Sequence, residues 1–270
     1  PSAGSQNVLA RFGDAGKVAA EGDVTGAVLG INKSIEREGQ DRFSLELPVD
    51  QQEFIKELYK VNPNTVVVLV AGSSMAVNWM DENVPAILNA WYPGEQGGNA
   101  VAEVLFGDYN PGGRLPLTYY NSLDEIPAFD NYSVKGRTYQ YFEGQPLYEF
   151  GYGLSYTKFR YKSKGVNVEQ DTVKVSFEVS NTGKYDGDEV AQVYVKYPET
   201  GTYMPLKQLH GFKRVHIKKG KTSKVTIGVP KKDLRYWDEQ ERKFVTPKGE
   251  YTFMVGASSE DIKFRETVGL

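Results

Sequence analysis

The sequence predicts an α/β-sandwich domain followed by an all-β sandwich of the immunoglobulin or fibronectin type III kind. Strand and helix patterns alternate in the first half, whereas short strands without helices fill the last part of the chain. A segment rich in Tyr, Gly and Pro, without clear periodicity, separates the two. The expected boundaries are residues 1–121 for the α/β domain, 122–163 for a crossover linker and 164–270 for the β-sandwich.

The first half carries the elements of a largely parallel sheet. Apolar runs at residues 24–29, 65–71 and 85–91 predict strands, and the second run is continuously apolar, as is typical of a strand buried on both faces. Apolar residues at helical spacing predict helices at 51–59 and 97–106, and residues 14–21 would supply another. Strands that alternate with helices in this way favour parallel pairing.

The last part alternates apolar and polar residues with a period of two, the pattern of half-buried strands. Predicted strands lie at residues 173–179, 190–195, 212–217, 225–229 and 251–255, with Gly, Pro and Asn turns between them. Short strands at this spacing, with no helix among them, predict a β-sandwich with seven strands.

The composition excludes several classes of function. A net charge of -3 provides no basic field for nucleic acid, and no apolar run reaches the roughly 20 residues that span a membrane, so neither is expected as a partner. The chain has no cysteine and only two histidines, both in the β-rich half. Because metal-ligand spacings, phosphate loops, dinucleotide motifs and the Gly-x-Ser-x-Gly elbow are also missing, we expect no cofactor, no metal and no Ser-His-Asp chemistry.

Three unusual loops follow the three predicted strands of the first half. Residues 32–42 form the densest polar cluster, and residues 72–75 and 92–98 follow the next two strands. A mixed-charge loop alone is more often a solvated surface, but the carboxyl ends of parallel strands meet at one sheet edge, where ligands bind. With the other chemistries excluded, a carboxylate that donates a proton remains, and glycoside hydrolysis needs one.

These residues resemble a known family. Residues 30–42 read GINKSIEREGQDR and look like the acid/base loop of glycoside hydrolase family 3. The resemblance covers nearly the whole chain, and residues 209–215, LHGFKRV, resemble the fibronectin III-like domain that closes many members. Further matching segments are NPNTVVV at 62–68, WYPGEQGG at 91–98, GDYNPGGRLP at 107–116 and FGYGLSY at 150–156.

The resemblance implies part of a retaining exo-β-glycosidase, a β-xylosidase or β-glucosidase, that hydrolyses terminal β-linked sugars of plant-type oligosaccharides. In this family an amino-terminal (β/α)8 barrel supplies the aspartate nucleophile and most contacts to the sugar. This chain has no barrel, so no substrate-binding residue is assigned here, and the isolated fragment is expected to be inactive. The wording of residues 35–42 and 136–139 favours the β-xylosidase branch.

The resemblance also implies a periplasmic or secreted location and allows a homodimer. A second reading stays open: a non-catalytic carbohydrate-binding or scaffold module that has kept the fold. The intact glutamate loop favours the enzyme.

Two glutamates compete for the acid/base role that the resemblance implies. Glu38 matches the Glu-Gly-x-Asp-Arg form of the motif and is preferred, whereas Glu36 is the alternative because the loop varies in length. Asp41 and Arg42 are expected to form a charge pair that braces the loop. Gly39 is expected to give the backbone the freedom that aims the carboxylate.

Overall fold

A computed structural model describes residues 3–270, with side chains from residue 12 onward, and divides them into two compact units. The first unit takes in the chain up to Glu103 together with Tyr119–Ile126, and the second contains Val104–Thr118 and Pro127–Leu270. The predicted order of fold classes, an α/β layer followed by an all-β sandwich, is confirmed. The linker boundaries at residues 122 and 163 stay a prediction.

The α/β layer is built on a three-stranded sheet in the order β1-β2-β3, with both strand pairs parallel. Its elements are α1 (Ala3–Glu21), β1 (Thr25–Gly30), α2 (Val49–Val61), β2 (Thr65–Val70), α3 (Asn78–Asn83), β3 (Ala86–Asn89) and α4 (Gly97–Phe106).

The central strand β2 supplies most of the sheet's core. Val67, Val68 and Leu69 are buried, as its continuous apolar sequence predicts. Strand β1 lies at the edge and buries Ala27 but leaves Val28 68% exposed.

Helices α1 and α2 pack against each other beside this sheet, and Phe12 meets Phe54 at 4.7 Å between ring centroids. The buried Asn62 side chain, just after α2, donates hydrogen bonds to the carbonyls of Ala19 and Gly22, at 2.9 and 2.8 Å. It therefore ties the end of α1 to the end of α2.

Helix α3 was not predicted, because its six residues carry no helical apolar stripe. Met80 is its one buried residue, and three polar residues follow it. The helix belongs to the crossover that two parallel neighbours, β2 and β3, require.

The second unit contains the sandwich, whose seven strands form sheets of four (β12-β11-β6-β7) and three (β4-β5-β8), with every pair antiparallel. The elements of this part are α5 (Thr138–Tyr141), β4 (Phe159–Val168), β5 (Thr172–Asn181), β6 (Gly187–Lys196), β7 (Gln208–Ile217), β8 (Thr222–Pro230), β9 (Tyr236–Asp238), β10 (Lys243–Val245), β11 (Glu250–Gly256) and β12 (Ile262–Gly269).

The predicted alternation in β5 is what fills the sandwich core, since Val173, Val175, Phe177 and Val179 are all buried. Strands β4 and β12 were not predicted as separate strands. They lie at the edges of their sheets and contain no fully buried residue. None of the helices that the structure describes combines the length and apolar character that crossing a membrane requires.

Candidate functional site

The three loops that follow β1, β2 and β3 meet at the carboxyl edge of the sheet, which confirms the predicted convergence. Glu36 from the first loop accepts hydrogen bonds from Ser73 of the second and Tyr92 of the third. The loops border an open cleft of about 520 Å³. Its lining consists of Glu36, Arg37, Gln40, Asp41, Arg42, Leu45, Gly72, Ser73 and Tyr92.

The first loop leaves the sheet at Gly30, where the chain approaches its neighbour closely. Gly30 has φ 155°, and a Cβ at this position would lie 1.8 Å from the carbonyl oxygen of Val70. The Gln51 side chain, from the first turn of α2, both donates to the Gly30 carbonyl and accepts from its N–H, each at 2.8 Å. The direction in which the loop starts is therefore fixed by glycine and by one amide side chain.

Hydrogen bonds within the loop then fold it into a compact turn. The Asn32 carbonyl accepts from the N–H groups of Ile35 and Glu36, at 2.9 and 3.1 Å. The Asn32 side chain accepts from the backbone and the hydroxyl of Ser34, at 2.8 and 2.7 Å. Short polar side chains favour such local turns.

Glu38 lies at the tip of a tight turn. The backbones of Arg37 and Gln40 exchange hydrogen bonds of 3.2 and 2.9 Å, which leaves Glu38 and Gly39 between them. Gly39 has φ 77°, a left-handed conformation that glycine adopts without strain. That this conformation aims the Glu38 carboxylate stays a prediction. Glu38 is exposed, and within the described part of the chain its carboxylate has no hydrogen-bond or ion-pair partner.

Glu36, two residues earlier, is held by three hydrogen bonds and one ion pair. Its Oε1 accepts from the Gly72 N–H at 3.2 Å and from the Tyr92 hydroxyl at 3.3 Å, a hydroxyl that also donates to the Ile31 carbonyl at 3.1 Å. Its Oε2 accepts from the Ser73 hydroxyl and forms an ion pair with Arg42 Nε at 3.1 Å. The Glu36 side chain is 17% exposed, and that of Arg42 is 10% exposed. Both oxygens of the Glu36 carboxylate are therefore occupied, and we call this glutamate saturated.

The charge pair that braces the loop differs from the predicted one. Arg42 pairs with Glu36 and not with Asp41, which is exposed. The remaining Arg42 nitrogens donate to the Ser74 carbonyl at 2.8 Å and contact Met75 Sδ at 3.0 Å. The prediction was wrong because it paired sequence neighbours, whereas the folded loop turns the Arg42 side chain inward, to where Glu36 offers a half-buried carboxylate.

Two backbone features allow the second and third loops to reach Glu36. A Cβ on Gly72 would lie 2.5 Å from the Tyr92 ring, so this approach needs glycine. Trp91 has φ 54°, which is unusual for a bulky residue and costs on the order of 1–3 kcal/mol. Desolvation and the neighbouring Glu36 carboxylate raise the pKa of Tyr92.

The sequence predicts that residues 72–75 and 92–98 lie at the carboxyl edge of the sheet, as they do. It does not predict that the hydroxyls of Ser73 and Tyr92 donate hydrogen bonds to Glu36. The identity of a hydrogen-bond partner across loops depends on side-chain geometry, which spacing does not encode. The glycine at position 72 and the aromatic pair at 91–92 were the available signals, since both lie at strand ends.

Residues 136–139, which supported the β-xylosidase reading, have contacts within the second unit. Arg137 Nη2 donates to the carbonyls of Pro127, Ala128 and Asn131 at 2.8–3.2 Å, so its guanidinium organises its own loop. The Tyr139 ring stacks on Phe150 at 4.3 Å between centroids. The described contacts of Arg137 and Tyr139 thus lie within the second unit.

Two family models match the α/β layer and the sandwich that follows it. Residues 4–156 match the glycosyl hydrolase family 3 C-terminal domain, and residues 189–259 match the fibronectin type III-like domain. Because the first match alone covers more than half of the chain, the chain belongs to glycosyl hydrolase family 3.

Similar proteins carry two activities in their names. The chain is 40% identical over 261 residues to a xylan 1,4-beta-xylosidase from Xylanibacter ruminicola and 37% identical over 264 residues to a beta-glucosidase from Kluyveromyces marxianus. These alignments cover 95% and 92% of this chain but only 30% and 31% of the relatives, so the chain spans about a third of their length.

Solved structures agree with the described fold. The crystal structure of the Kluyveromyces marxianus beta-glucosidase in complex with glucose superposes with a TM-score of 0.88 at 36% identity, over 95% of this chain and 33% of that one. A beta-glucosidase from Bifidobacterium adolescentis gives a TM-score of 0.87 at 33% identity, over 95% of this chain and 40% of that one.

Proposed function

We propose that this chain supplies the general acid/base of a retaining exo-β-glycosidase, and that Glu38 is that residue. The observation that carries the proposal is the contrast between the two glutamates of the loop. Glu38 projects from a turn with its carboxylate free of partners in the described part of the chain, whereas Glu36 has both oxygens occupied. A group that passes a proton to a leaving oxygen must have an oxygen available to it.

Retaining hydrolysis uses two carboxyl groups about 5–5.5 Å apart. In the first step one of them attacks the anomeric carbon while the other protonates the departing glycosidic oxygen. In the second step the proton donor, now a carboxylate, takes a proton from the water that releases the sugar. Glu38 would perform both proton transfers. The attacking aspartate would come from a (β/α)8 barrel elsewhere in the longer protein.

The tip of a tight turn suits a residue that transfers protons while another domain supplies the nucleophile. Glu38 stands beyond the body of its own loop, so its carboxylate can be presented to a substrate held by another domain. Its neighbours Arg37, Gln40 and Asp41 line the cleft, and their polar side chains can hydrogen-bond a hydroxyl-rich ligand.

The proposed substrates are terminal β-linked xylosides or glucosides of plant-type oligosaccharides. The names of the relatives support both sugars, and one relative, from Salmonella typhimurium, is called a periplasmic beta-glucosidase. We extend the periplasmic or secreted location to this chain as part of the same proposal, together with a possible homodimer. Turnover of aryl β-xylosides and β-glucosides by the complete protein decides between the two sugars.

Leaving-group dependence tests the role of Glu38 in the complete protein. Glu38→Ala should lower kcat/KM by about 10²–10⁴-fold on oligosaccharides and alkyl glycosides, which depart only when protonated. Aryl glycosides of acidic phenols need little protonation, so their kcat/KM should fall much less. Glu53, an exposed glutamate on α2, provides the control, and Glu53→Ala should leave both values unchanged. An equal loss on both substrate types would refute the assignment.

A further inference from the structure

We infer that Glu36 is a positioning residue, which fixes the turn that carries Glu38 but does not itself exchange protons with the substrate. The inference rests on the proposed role of Glu38 and deepens it. It replaces the reading in which Glu36 is an alternative proton donor.

Glu36 and Arg42 enclose the turn that carries Glu38. Residues 37–40 form the turn, and Glu36 and Arg42 stand before and after it. Their side chains are joined by an ion pair of 3.1 Å in which both partners are largely shielded from water. One contact therefore closes the segment from both ends, and the tip has little freedom to move away from the sheet edge.

The loops that follow β2 and β3 attach this closed segment to the sheet. Gly72 and Ser73 follow β2, and Tyr92 follows β3, and all three donate to the Glu36 carboxylate. Arg42 reaches the same second loop through the Ser74 carbonyl at 2.8 Å. The ends of two rigid strands thus set the position of Glu36, and Glu36 sets the position of a residue only two places further along the chain.

The Glu36 carboxylate itself is saturated. Three hydrogen bonds and the ion pair with Arg42 occupy both of its oxygens, and to protonate a substrate it would have to give up one of these contacts. Hydrogen bonds to a charged group are stronger than those between neutral groups. The same donors that make Glu36 a poor proton donor make it an effective anchor.

A double-mutant cycle in the complete protein tests the inference. With a poor leaving group, Glu36→Gln should lower kcat/KM by up to about 100-fold, because misplacement of a catalytic group by about 1 Å can cost that much. With an acidic phenol as leaving group the loss in kcat/KM should be small, because that value reports the formation of the covalent intermediate, which then needs little protonation. In the Glu38→Ala background, Glu36→Gln should have almost no further effect, because the carboxylate that it positions is gone.

Tyr92→Phe provides a second variant that keeps the ring and removes one donor. It should reproduce the leaving-group dependence of Glu36→Gln in weaker form, with an unfolding temperature close to that of the wild type. Because the ring stays in place, this variant gives a result even where Glu36→Gln folds poorly.

The outcomes separate the two proposals. If Glu38→Ala shows no leaving-group dependence, the role of Glu38 fails, and the positioning role fails with it. If Glu38→Ala behaves as proposed but Glu36→Gln costs the same factor in both backgrounds, Glu36 supports the fold in general and only the positioning role is refuted. A leaving-group-independent loss in Tyr92→Phe refutes it in the same way.

Discussion

The ion pair between Arg114 and Glu189 gives the most quantitative prediction about stability. Its two side chains are 8% and 5% exposed, and Arg114 Nη2 lies 3.1 Å from Glu189 Oε1. It joins residues 107–116, a segment that precedes the sandwich by some distance in sequence, to β6. Arg114→Met leaves the Glu189 carboxylate buried without its partner, which typically costs about 3–5 kcal/mol.

At about 2–4 °C per kcal/mol for a unit of this size, the melting temperature should fall by about 6–20 °C. The double variant Arg114→Met/Glu189→Leu should recover most of the loss, because replacing both ions by apolar groups is often neutral. Urea unfolding followed by circular dichroism gives the free energies of unfolding of the wild type and the variants.

The control is an exposed pair on the same sandwich. Lys174 lies 2.8 Å from Glu169, and the two side chains are 48% and 41% exposed. Lys174→Met should cost less than about 1 kcal/mol. If Arg114→Met costs no more than this control, or if the double variant is no more stable than Arg114→Met, the buried pair does not hold residues 107–116 against β6.

Three further outcomes follow from single residues. Burial lowers the pKa of His210, so as the pH falls below about 6.5 the unfolded chain takes up a proton that the folded chain does not. The free energy of unfolding should therefore decrease as the pH falls through this range. His210→Gln should flatten this part of its pH profile. Gly30→Ala should destabilise the chain and displace the loop that carries Glu38, because its Cβ would meet the Val70 carbonyl at 1.8 Å. The free energy of unfolding measures the first effect, and the activity of the complete protein measures the second. Phe106 is 84% exposed, so Phe106→Ser should lower the binding of a hydrophobic dye by the isolated chain, and unchanged dye binding would place the responsible apolar surface elsewhere.

The sequence was most informative where one physical rule decides the structure. Strand β2 was predictable because a strand buried on both faces must be apolar throughout, and β5 because alternate residues face the core. Helix α3 escaped prediction because six residues with one buried side chain give no periodic signal. Edge strands β4 and β12 contain no fully buried residue, so their apolar pattern was too weak to predict them.

The sequence predicted the position of the candidate site in the fold but not all the contacts between its side chains. Parallel strands bring their carboxyl ends to one edge, so the meeting of the three loops followed from topology. The pairing of Arg42 with Glu36 did not, because it depends on how the loop folds back over Ser73 and Met75. Only the folded structure distinguishes the saturated glutamate from the free one.

Chemical rescue tests the assignment of Glu38 most directly. The measurement is the turnover of Glu38→Ala in the complete protein with an aryl β-glycoside of an acidic phenol, with and without azide. Without its general base, the covalent sugar–enzyme intermediate should accumulate. Azide should restore turnover by attacking the face that water would use, which gives a β-glycosyl azide with retained configuration. Rescue of Glu36→Ala instead, or the absence of a β-glycosyl azide from Glu38→Ala, would contradict the assignment.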